Sequence, residues 1–157
     1  LSLYAENDLR LDKYFAETDE KGFRKNKKAG SNNYLCTFRV GEIYLTAAEA
    51  AARLGELSQA RTRLLELMRK RYAPEAYEAK SVVVNAMDKE ALVQEILDER
   101  ARELAFEGHR WFDLRRSTRP RLEKVLDGTR YVLEENDARY TLAIPKEAIE
   151  ANPGLLN

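Results

Sequence analysis

The sequence predicts a mainly α-helical fold, with one helix pair, further helices, long loops and a few short extended segments. Apolar residues recur three and four positions apart over much of the stretch between residues 39 and 116, which is the spacing of one helix face. Only seven Gly and four Pro occur in 157 residues, so tight turns are few. The length suits one domain with its own core, which we place over residues 1–157.

Charge and composition exclude several classes of protein. The 27 basic and 27 acidic side chains cancel, so the chain has no overall attraction for nucleic acid or anionic lipid. No apolar run approaches the roughly 20 residues that a membrane-spanning helix needs. The single cysteine, Cys36, cannot form an intramolecular disulfide. The chain starts without Met or a leader peptide and ends abruptly, and we therefore expect a fragment of a longer protein.

The first 38 residues are polar and are expected to be irregular, with short strand pieces. Residues 22–33, GFRKNKKAGSNN, predict a loop because glycines flank a basic run that a Ser-Asn-Asn tail follows. A solvated turn is the simpler interpretation of this basic run, and contact with phosphate or lipid head groups is the alternative. Residues 34–38 are compatible with a short strand or with a lead-in to the next helix.

A pair of helices is predicted over about residues 39–71. The first begins near Val40 and ends at Gly55, a residue type that commonly ends helices. Its predicted buried face follows a spacing of three and four and consists of Ile43, Ala47, Ala50 and Leu54, widened by Tyr44, Ala48 and Ala51. Ser58 is the predicted N-cap of a second helix, Gln59 to Arg71. The buried face of that helix is predicted to contain Ala60, Leu64, Leu67 and Met68, with Leu65 alongside.

This pair resembles a tetratricopeptide unit. The similarity lies in the spacing of Ala48, Gly55 and Ala60, because small residues let two helices pack closely around a short turn. About three such units are normally needed for a stable stack, and no second copy is evident in the sequence.

Pro74 is predicted to end the second helix, and residues 73–87 to form a connection that holds a short strand or buried loop at 82–84. Asp88 is the predicted N-cap of the next helix, Lys89 to Phe106. Gly108 permits a change of direction before a shorter helix over 109–116, so these signature helices together span about 88–116. Beyond them we expect a short amphipathic piece, extended segments and at most one more helical turn.

No arrangement of catalytic groups is evident. Nucleophilic catalysis needs Ser or Cys beside a base, and the one histidine, His109, and Cys36 lie outside any such motif. The GxSxG, HExxH, P-loop and GxGxxG patterns do not occur. We therefore predict no catalytic residue, no cofactor and no metal site.

Carboxylates are dense along the signature helices. Paired carboxylates can hydrolyse a glycoside, which leaves a glycoside hydrolase as a minor alternative. However, Glu99, Glu103 and Glu107 repeat four residues apart with several arginines nearby, namely Arg100, Arg102, Arg110, Arg115 and Arg116. A partly buried Arg/Glu network is the simpler prediction, with exposed pairs from Arg102 to Asp98 and Glu99 on the flank. Trp111 is either a core anchor or a platform for sugar stacking.

The same stretch carries a family resemblance. Residues 99–116, ERARELAFEGHRWFDLRR, resemble the signature ER-x-x-EL-x-x-EG-x-RW-x-DL-x-R of the SusD/RagB family. Three further segments are similar in the expected order: NDLR (7–10), FRVGEIYLTAAEAAARLGE (38–56) and LAIPKEAIEANPGLLN (142–157). Together they correspond to the carboxyl-terminal portion of a family member.

The resemblance implies a surface-exposed outer-membrane lipoprotein, not an enzyme. Such proteins bind glycans or other nutrients and deliver them to a SusC-type TonB-dependent transporter, with the signal peptide and lipid anchor outside this fragment. A tetratricopeptide-like protein-protein adaptor without nutrient binding is the alternative. The resemblance implies scaffold roles for Glu99, Arg100, Glu103, Gly108, Arg110, Trp111 and Asp113. Because sugars stack on aromatic faces, the candidate ligand contacts are Tyr34, Tyr72 and Tyr77, each of which is otherwise a packed or exposed tyrosine.

Overall fold

The computed structural model describes residues 2–28, 39–152 and 154, and it confirms the mainly α-helical class. The helices are α1 (Arg10–Tyr14), α2 (Val40–Leu54), α3 (Leu57–Met68), α4 (Pro74–Ala86), α5 (Lys89–Glu103), α6 (His109–Arg116) and α7 (Lys146–Ala151), with a 3₁₀ turn at Ala138–Tyr140. The strands are β1 (Phe15–Thr18), β2 (Arg24–Asn26), β3 (Leu122–Leu126) and β4 (Thr129–Leu133). They form two antiparallel hairpins, β1–β2 and β3–β4. No helix within the described residues is long and apolar enough to cross a membrane.

The chain divides into two compact units, Leu1–Arg110 and Trp111–Asn157. The first contains the helix pair, α4 and all of α5, and the second contains both strands of the later hairpin. The expectation of a single domain over residues 1–157 stays a prediction.

The apolar core of the first unit lies among α2, α3, α4 and α5. Three alanines, Ala48, Ala52 and Ala60, are completely buried, and they allow α2 and α3 to approach each other closely. Gly55 ends α2 with a φ of 86°, and its N–H donates to carbonyls of the last turn. The rest of this core is Leu45, Ala51, Leu64, Leu67, Met68, Tyr72, Val84, Leu92 and Ile96.

The predicted buried face of α2 is wrong in part. Ile43, Ala50 and Leu54 are exposed, whereas Ala48 and Ala51, which were expected only at the edge of this face, are buried together with Leu45. The exposed and the buried faces both satisfy a helical spacing, and α3 and α5 pack against the buried one. For α3 the predicted face is confirmed, because Ala60, Leu64, Leu67 and Met68 are all buried.

Several predicted boundaries are also wrong. Ser58 is not an N-cap, because α3 begins at Leu57 after Glu56 and ends at Met68. Pro74 does not lead into a loop but opens α4 at its first helical position, where a missing N–H has no cost. Val82 and Val83 are consequently on the exposed surface of a helix. Asp88 is confirmed as the N-cap of α5, since its carboxylate accepts from Ala91 N at 2.9 Å.

Three short segments differ from expectation. In the expected irregular start, α1 forms a helical turn, and the expected loop contains β2 at Arg24–Asn26. The expected amphipathic piece near residue 122 is strand β3, joined to β4 by Asp127 and Gly128, both with positive φ. An Asp-Gly pair between apolar runs is a strong hairpin signal, which the periodicity argument missed. The expectation for residues 34–38 lies outside the described residues.

Candidate functional site

The acidic cluster of the signature lies on the buried face of α5. Leu92, Ile96, Glu99 and Glu103 follow one another at spacings of four, three and four, and all four are completely buried. The face is therefore apolar near the start of the helix and acidic near its end. A buried carboxylate needs a charged or hydrogen-bonding partner, so the surrounding side chains determine whether Glu99 and Glu103 are stable in the core.

Arg10 of α1 contacts both buried glutamates of α5 and also a third carboxylate, that of Asp8. Its Nε and Nη2 atoms donate to the two oxygens of Asp8 at 2.8 and 2.7 Å. Its Nη1 atom donates to Glu99 Oε1 at 2.7 Å and to Glu103 Oε2 at 3.3 Å. Burial opposes the charge, but the hydrogen bond to Asp8 and the charge of Glu99 outweigh burial and raise the pKa of Arg10 above its ordinary value. Arg10 is therefore a permanent cation within the core.

Two further arginines, Arg71 and Arg39, donate hydrogen bonds to the carboxylate of Glu103. Arg71 donates from Nε to Oε2 at 2.7 Å and from Nη2 to Oε1 at 2.9 Å. In this bidentate geometry, two N–H groups of one guanidinium bind the two oxygens of one carboxylate. Arg39 adds a contact from Nη2 to Oε1 at 2.7 Å. Burial alone would raise the pKa of Glu103, but the Arg71 hydrogen bond and the nearby positive charges hold it below its ordinary value.

Glu99 is held by Arg102 and by a tyrosine. Arg102 Nε donates to Glu99 Oε2 at 2.8 Å, and Arg102 Nη2 donates to Glu95 Oε1 at 2.6 Å. The Tyr72 hydroxyl donates to Glu99 Oε2 at 3.1 Å and accepts from Arg10 at 3.0 Å. Burial and the charge of Glu99 raise the pKa of Tyr72, so its hydroxyl keeps the proton that it donates.

The carboxyl end of α5 is capped by donors from distant segments. Lys28 Nζ donates to the carbonyls of Glu103 and Ala105 at 2.6 and 3.0 Å, and Arg39 Nη1 donates to the Glu103 carbonyl at 2.9 Å. Both cations also pair with Glu107. Positive charge at this end offsets the helix dipole and satisfies carbonyls that lack a partner within the helix.

The whole assembly, here called the α5 charge network, is electrically balanced. Five cations face five carboxylates: Arg10, Lys28, Arg39, Arg71 and Arg102 with Asp8, Glu95, Glu99, Glu103 and Glu107. Every side-chain oxygen of Glu99 and Glu103 already accepts a hydrogen bond from the protein. A general acid would need a raised carboxyl pKa, and the pKa of Glu103 is lowered. The arrangement is suited to holding distant segments of the chain against α5 through ion pairs, and it is not suited to proton transfer.

The partners of these acids differ from those that the sequence suggested. Neighbouring arginines on the signature helices were the expected counter-charges, and Arg102 is one of these neighbours. The other partners of Glu99 and Glu103 are Arg10, Arg39 and Arg71, which come from distant segments. The expected pair of Asp98 with Arg102 is replaced by a hydrogen bond from Gln94 to Asp98 at 3.1 Å. The Glu99–Arg102 pair forms as expected, but it is buried rather than exposed.

The remaining signature residues divide between the two units. In the first, Arg100 is buried and donates to Thr46 Oγ1 at 3.1 Å. Gly108 has a φ of 83°, which permits the chain to turn after α5, and Arg110 is exposed. This turn is the change of direction that the sequence predicted at Gly108.

In the second unit, Trp111 and Asp113 make local contacts. Trp111 is half-buried and stacks on Tyr140, with ring centroids 5.1 Å apart and planes 10° apart. Tyr140 is completely buried and donates to the Pro120 carbonyl at 2.5 Å. Asp113 is buried and accepts from Arg116 at 2.6 Å.

Two of the three tyrosines predicted to contact ligand, Tyr72 and Tyr77, lie within the described residues. Tyr72 is 3% exposed, and its hydroxyl belongs to the α5 charge network, so its ring offers no open face for stacking. Tyr77 is half-buried and packs against the apolar core of the first unit. Tyr34 lies outside the described residues.

A metal centre and an open surface depression are two further kinds of site. Within the described residues, no three His, Cys, Asp or Glu side chains are arranged to hold a metal ion. An open depression of about 340 Å³ is lined by Arg53, Lys89, Glu90 and Val93. None of these four described lining residues is aromatic, so they provide no ring on which a sugar would stack.

The chain matches known proteins along most of its length. The model of the SusD family matches residues 4–157. SusD-like protein P38 of Formosa agariphila is 31% identical over 115 residues, which is 73% of this chain and 22% of that protein. The chain thus spans about a fifth of the length of the curated relative that it matches. With the family match extending over almost all of its residues, the chain belongs to the SusD family.

Proposed function

We propose that this chain is part of a protein that binds glycans or other nutrients at the bacterial outer surface and delivers them to a SusC-type TonB-dependent transporter. The observation that carries the proposal is the SusD family match over residues 4–157. The protein acts at the outer membrane, exposed at the surface and held there by a lipid anchor outside this fragment.

The signature residues serve as scaffold in this proposal. Glu99 and Glu103 support that role because they are buried and bonded to arginines from three other segments. The NDLR segment contributes Asp8 and Arg10 to the same contacts. Family elements that are far apart in sequence thus meet in the α5 charge network, which fits a shared framework better than a variable ligand site.

Binding without chemical conversion is also part of the proposal. A glycosidase needs one protonated and one ionised carboxyl group with room for the sugar between them. The lowered pKa of Glu103 is unfavourable for the protonated carboxyl group. The oxygens of Glu99 and Glu103 already accept hydrogen bonds from the protein, which is unfavourable for placing a sugar between them.

Ligand contact within this chain remains a proposal for Tyr34 and Tyr77. Tyr77 is partly accessible and lies in the first turn of α4, whereas Tyr72 is enclosed by its partners. In the full-length protein, Tyr77→Ala should weaken glycan binding if the ring stacks on a sugar. Tyr131→Ala is the matched control, because Tyr131 is an exposed tyrosine on the β3–β4 hairpin.

The direct test is a glycan array with the full-length protein, together with co-purification from bacterial outer membranes. The expected result is selective binding of one class of saccharide or another nutrient, and recovery of a TonB-dependent transporter in the same complex. Absence of both would contradict the proposal, and recovery of other protein partners alone would favour an adaptor. Glycan turnover that disappears in Glu103→Gln, while the folded protein persists, would show an enzyme instead.

A further inference from the structure

The turn between β3 and β4 places an aspartate directly before a glycine. Asp127 and Gly128 connect Leu126 to Thr129, which form the closing pair of the hairpin. Both turn residues are exposed, and both have a positive φ, 48° at Asp127 and 75° at Gly128, as the central residues of a type I′ turn do. In the whole sequence, Asp127 is the only Asp or Asn that a glycine follows. This combination of a carboxyl group and an unsubstituted neighbour therefore occurs once in the chain.

The carboxyl group of Asp127 and the amide nitrogen of Gly128 are both accessible. Within the part of the chain that the structure describes, no group pairs with the Asp127 carboxylate, and the Gly128 N–H donates to no carbonyl. A Cβ added to Gly128 would meet no atom within 4 Å, so nothing shields this side of the residue. The side chain and the nitrogen that follows it are thus free to approach each other.

Two other aspartates in connecting segments lack this freedom. The carboxylate of Asp137 accepts from the N, Nε and Nη2 atoms of Arg139 at 2.8, 2.9 and 2.7 Å. Asp19 accepts from two backbone N–H groups of its own loop at 3.0 and 2.8 Å. Each of these carboxylates would have to break its hydrogen bonds before its carbon could turn toward the next backbone nitrogen, and Asp127 has no such bonds to break.

We propose that Asp127 and Gly128 form a site of spontaneous backbone modification, at which aspartate is converted to isoaspartate. The Gly128 nitrogen attacks the Cγ carbon of the protonated Asp127 carboxyl group. A C–N bond forms, and the carboxyl OH leaves with the amide proton as water, which produces a cyclic imide. The step requires no oxidant, reductant or enzyme, and the proposal is independent of the proposed function.

One water molecule then opens the imide in either of two ways. If the bond between the Gly128 nitrogen and Cγ breaks, aspartate is restored. If the bond between that nitrogen and the main-chain carbonyl carbon breaks, the chain continues through Cγ, and the product is isoaspartate with a free carboxylate on Cα. Imide formation releases one water and opening consumes one, so aspartate and isoaspartate have the same mass.

The modification should loosen the hairpin at its turn. Isoaspartate adds a methylene group to the main chain between Leu126 and Thr129, and a two-residue turn depends on a specific backbone geometry. Since the turn sets the register of a hairpin, pairing next to the turn should be lost first. Farther along β4, the Val132 carbonyl accepts from Arg139 Nη2 at 3.0 Å, a contact that does not depend on the turn.

The test is prolonged incubation of the folded full-length protein at physiological pH and temperature. Digestion with endoproteinase Asp-N, which cleaves before aspartate but not before isoaspartate, is followed by electron-transfer mass spectrometry of the peptides. We expect progressive loss of cleavage before Asp127, with isoaspartate at that position, while cleavage before Asp19 and Asp137 is retained. Asp127→Asn is the matched variant, because Asn-Gly fits the same turn and its amide leaves as ammonia, so the product should appear sooner.

Two results would overturn the proposal. One is undiminished cleavage before Asp127 in the folded protein over a period in which a synthetic peptide of residues 122–133 accumulates isoaspartate, because the turn would then protect the site. The other is equal conversion at Asp19, Asp127 and Asp137. Hydrogen exchange of the separated isoaspartate form provides a further readout. The amides of Val125 and Arg130, which are paired beside the turn, should exchange faster than in the unmodified protein, and unchanged exchange would contradict the expected loosening.

Discussion

Two groups of ion pairs, one in each compact unit, contain the same kinds of side chain in different surroundings. In the first unit, the Glu103 side chain is completely buried and contacts Arg10, Arg39 and Arg71. In the second, Glu123 on the β3–β4 hairpin contacts Arg121 and Arg130 at 2.9 and 2.7 Å but is 34% exposed. Each carboxylate has more than one arginine partner at hydrogen-bonding distance.

Burial, and not the number of contacts, separates the two groups. The pKa of Glu123 is lowered by hydrogen bonds from Arg130 and Arg121 at the surface. The pKa of Glu103 is lowered although burial opposes it, because three guanidinium groups outweigh the loss of hydration. If a partner is lost, water can replace it at Glu123 but not at Glu103. Similar pairs are therefore expected to differ greatly in their effect on folding.

Glu103→Gln is expected to have the largest effect. It removes the one carboxylate that Arg71 contacts among the described residues and one of the carboxylates that Arg10 and Arg39 contact, and it should lower the free energy of unfolding by about 3–5 kcal/mol. The measurement is urea denaturation near pH 7, with Glu123→Gln as the matched control on the hairpin. A similar loss of stability in both variants would contradict the contrast between buried and exposed pairs.

Acid should reduce the difference between the wild-type protein and Glu103→Gln. The pKa of Glu103 is lowered in the folded state, so the stability that its charge contributes is fully present above the unfolded-state value of about 4.3. That contribution is lost as the pH falls below about 4.3 and passes through the folded-state pKa. Denaturation curves at several pH values should therefore converge on acidification, and a constant difference would show that the charge of Glu103 is not responsible.

Trp111→Ala tests the main aromatic contact of the second unit. Full burial would make truncation cost about 3–5 kcal/mol, and because Trp111 is only half-buried we expect about 2–3 kcal/mol. Trp111→Phe keeps an aromatic ring against Tyr140 and should cost less. Thermal denaturation measures both variants. Unchanged stability with lost ligand binding would instead identify Trp111 as a site residue.

Gly41→Ala should have the smallest effect of the four and tests how closely α2 approaches the α5 charge network. An added Cβ would lie 2.8 Å from Glu103 Oε1, an atom held by Arg39 and Arg71. Overpacking costs about 1–3 kcal/mol, while alanine improves helix propensity by up to about 1 kcal/mol, so we expect a net loss of about 1–2 kcal/mol. In a Glu103→Ala background this loss should vanish, and its persistence would locate the clash elsewhere.

The comparison also indicates what can be predicted from local sequence. Asp88 as an N-cap, Gly55 as a helix end and the buried face of α3 follow from residue types and spacing over a few positions. The signature stretch likewise predicts the family through its own residues. These features depend on contacts within one turn or one helix, which a short window of sequence contains.

Other features were accessible in principle but were missed. The Asp127–Gly128 pair indicates the β3–β4 hairpin, and Pro74 is compatible with a helix start as well as with a helix end. In both cases a local signal had two structural meanings. Turn chemistry would have resolved the first, and the run of helix-compatible residues after Pro74 would have favoured the second.

The sequence by itself determined the helical class, the positions of the signature helices and the family. Only the tertiary structure decided which face of α2 is buried, because both of its faces have helical spacing and the choice depends on where α3 and α5 pack. It also decided the partners of Glu99 and Glu103, since Arg10, Arg39 and Arg71 come from distant segments. Periodicity describes a helix alone, whereas burial and charge pairing are properties of the elements that surround it.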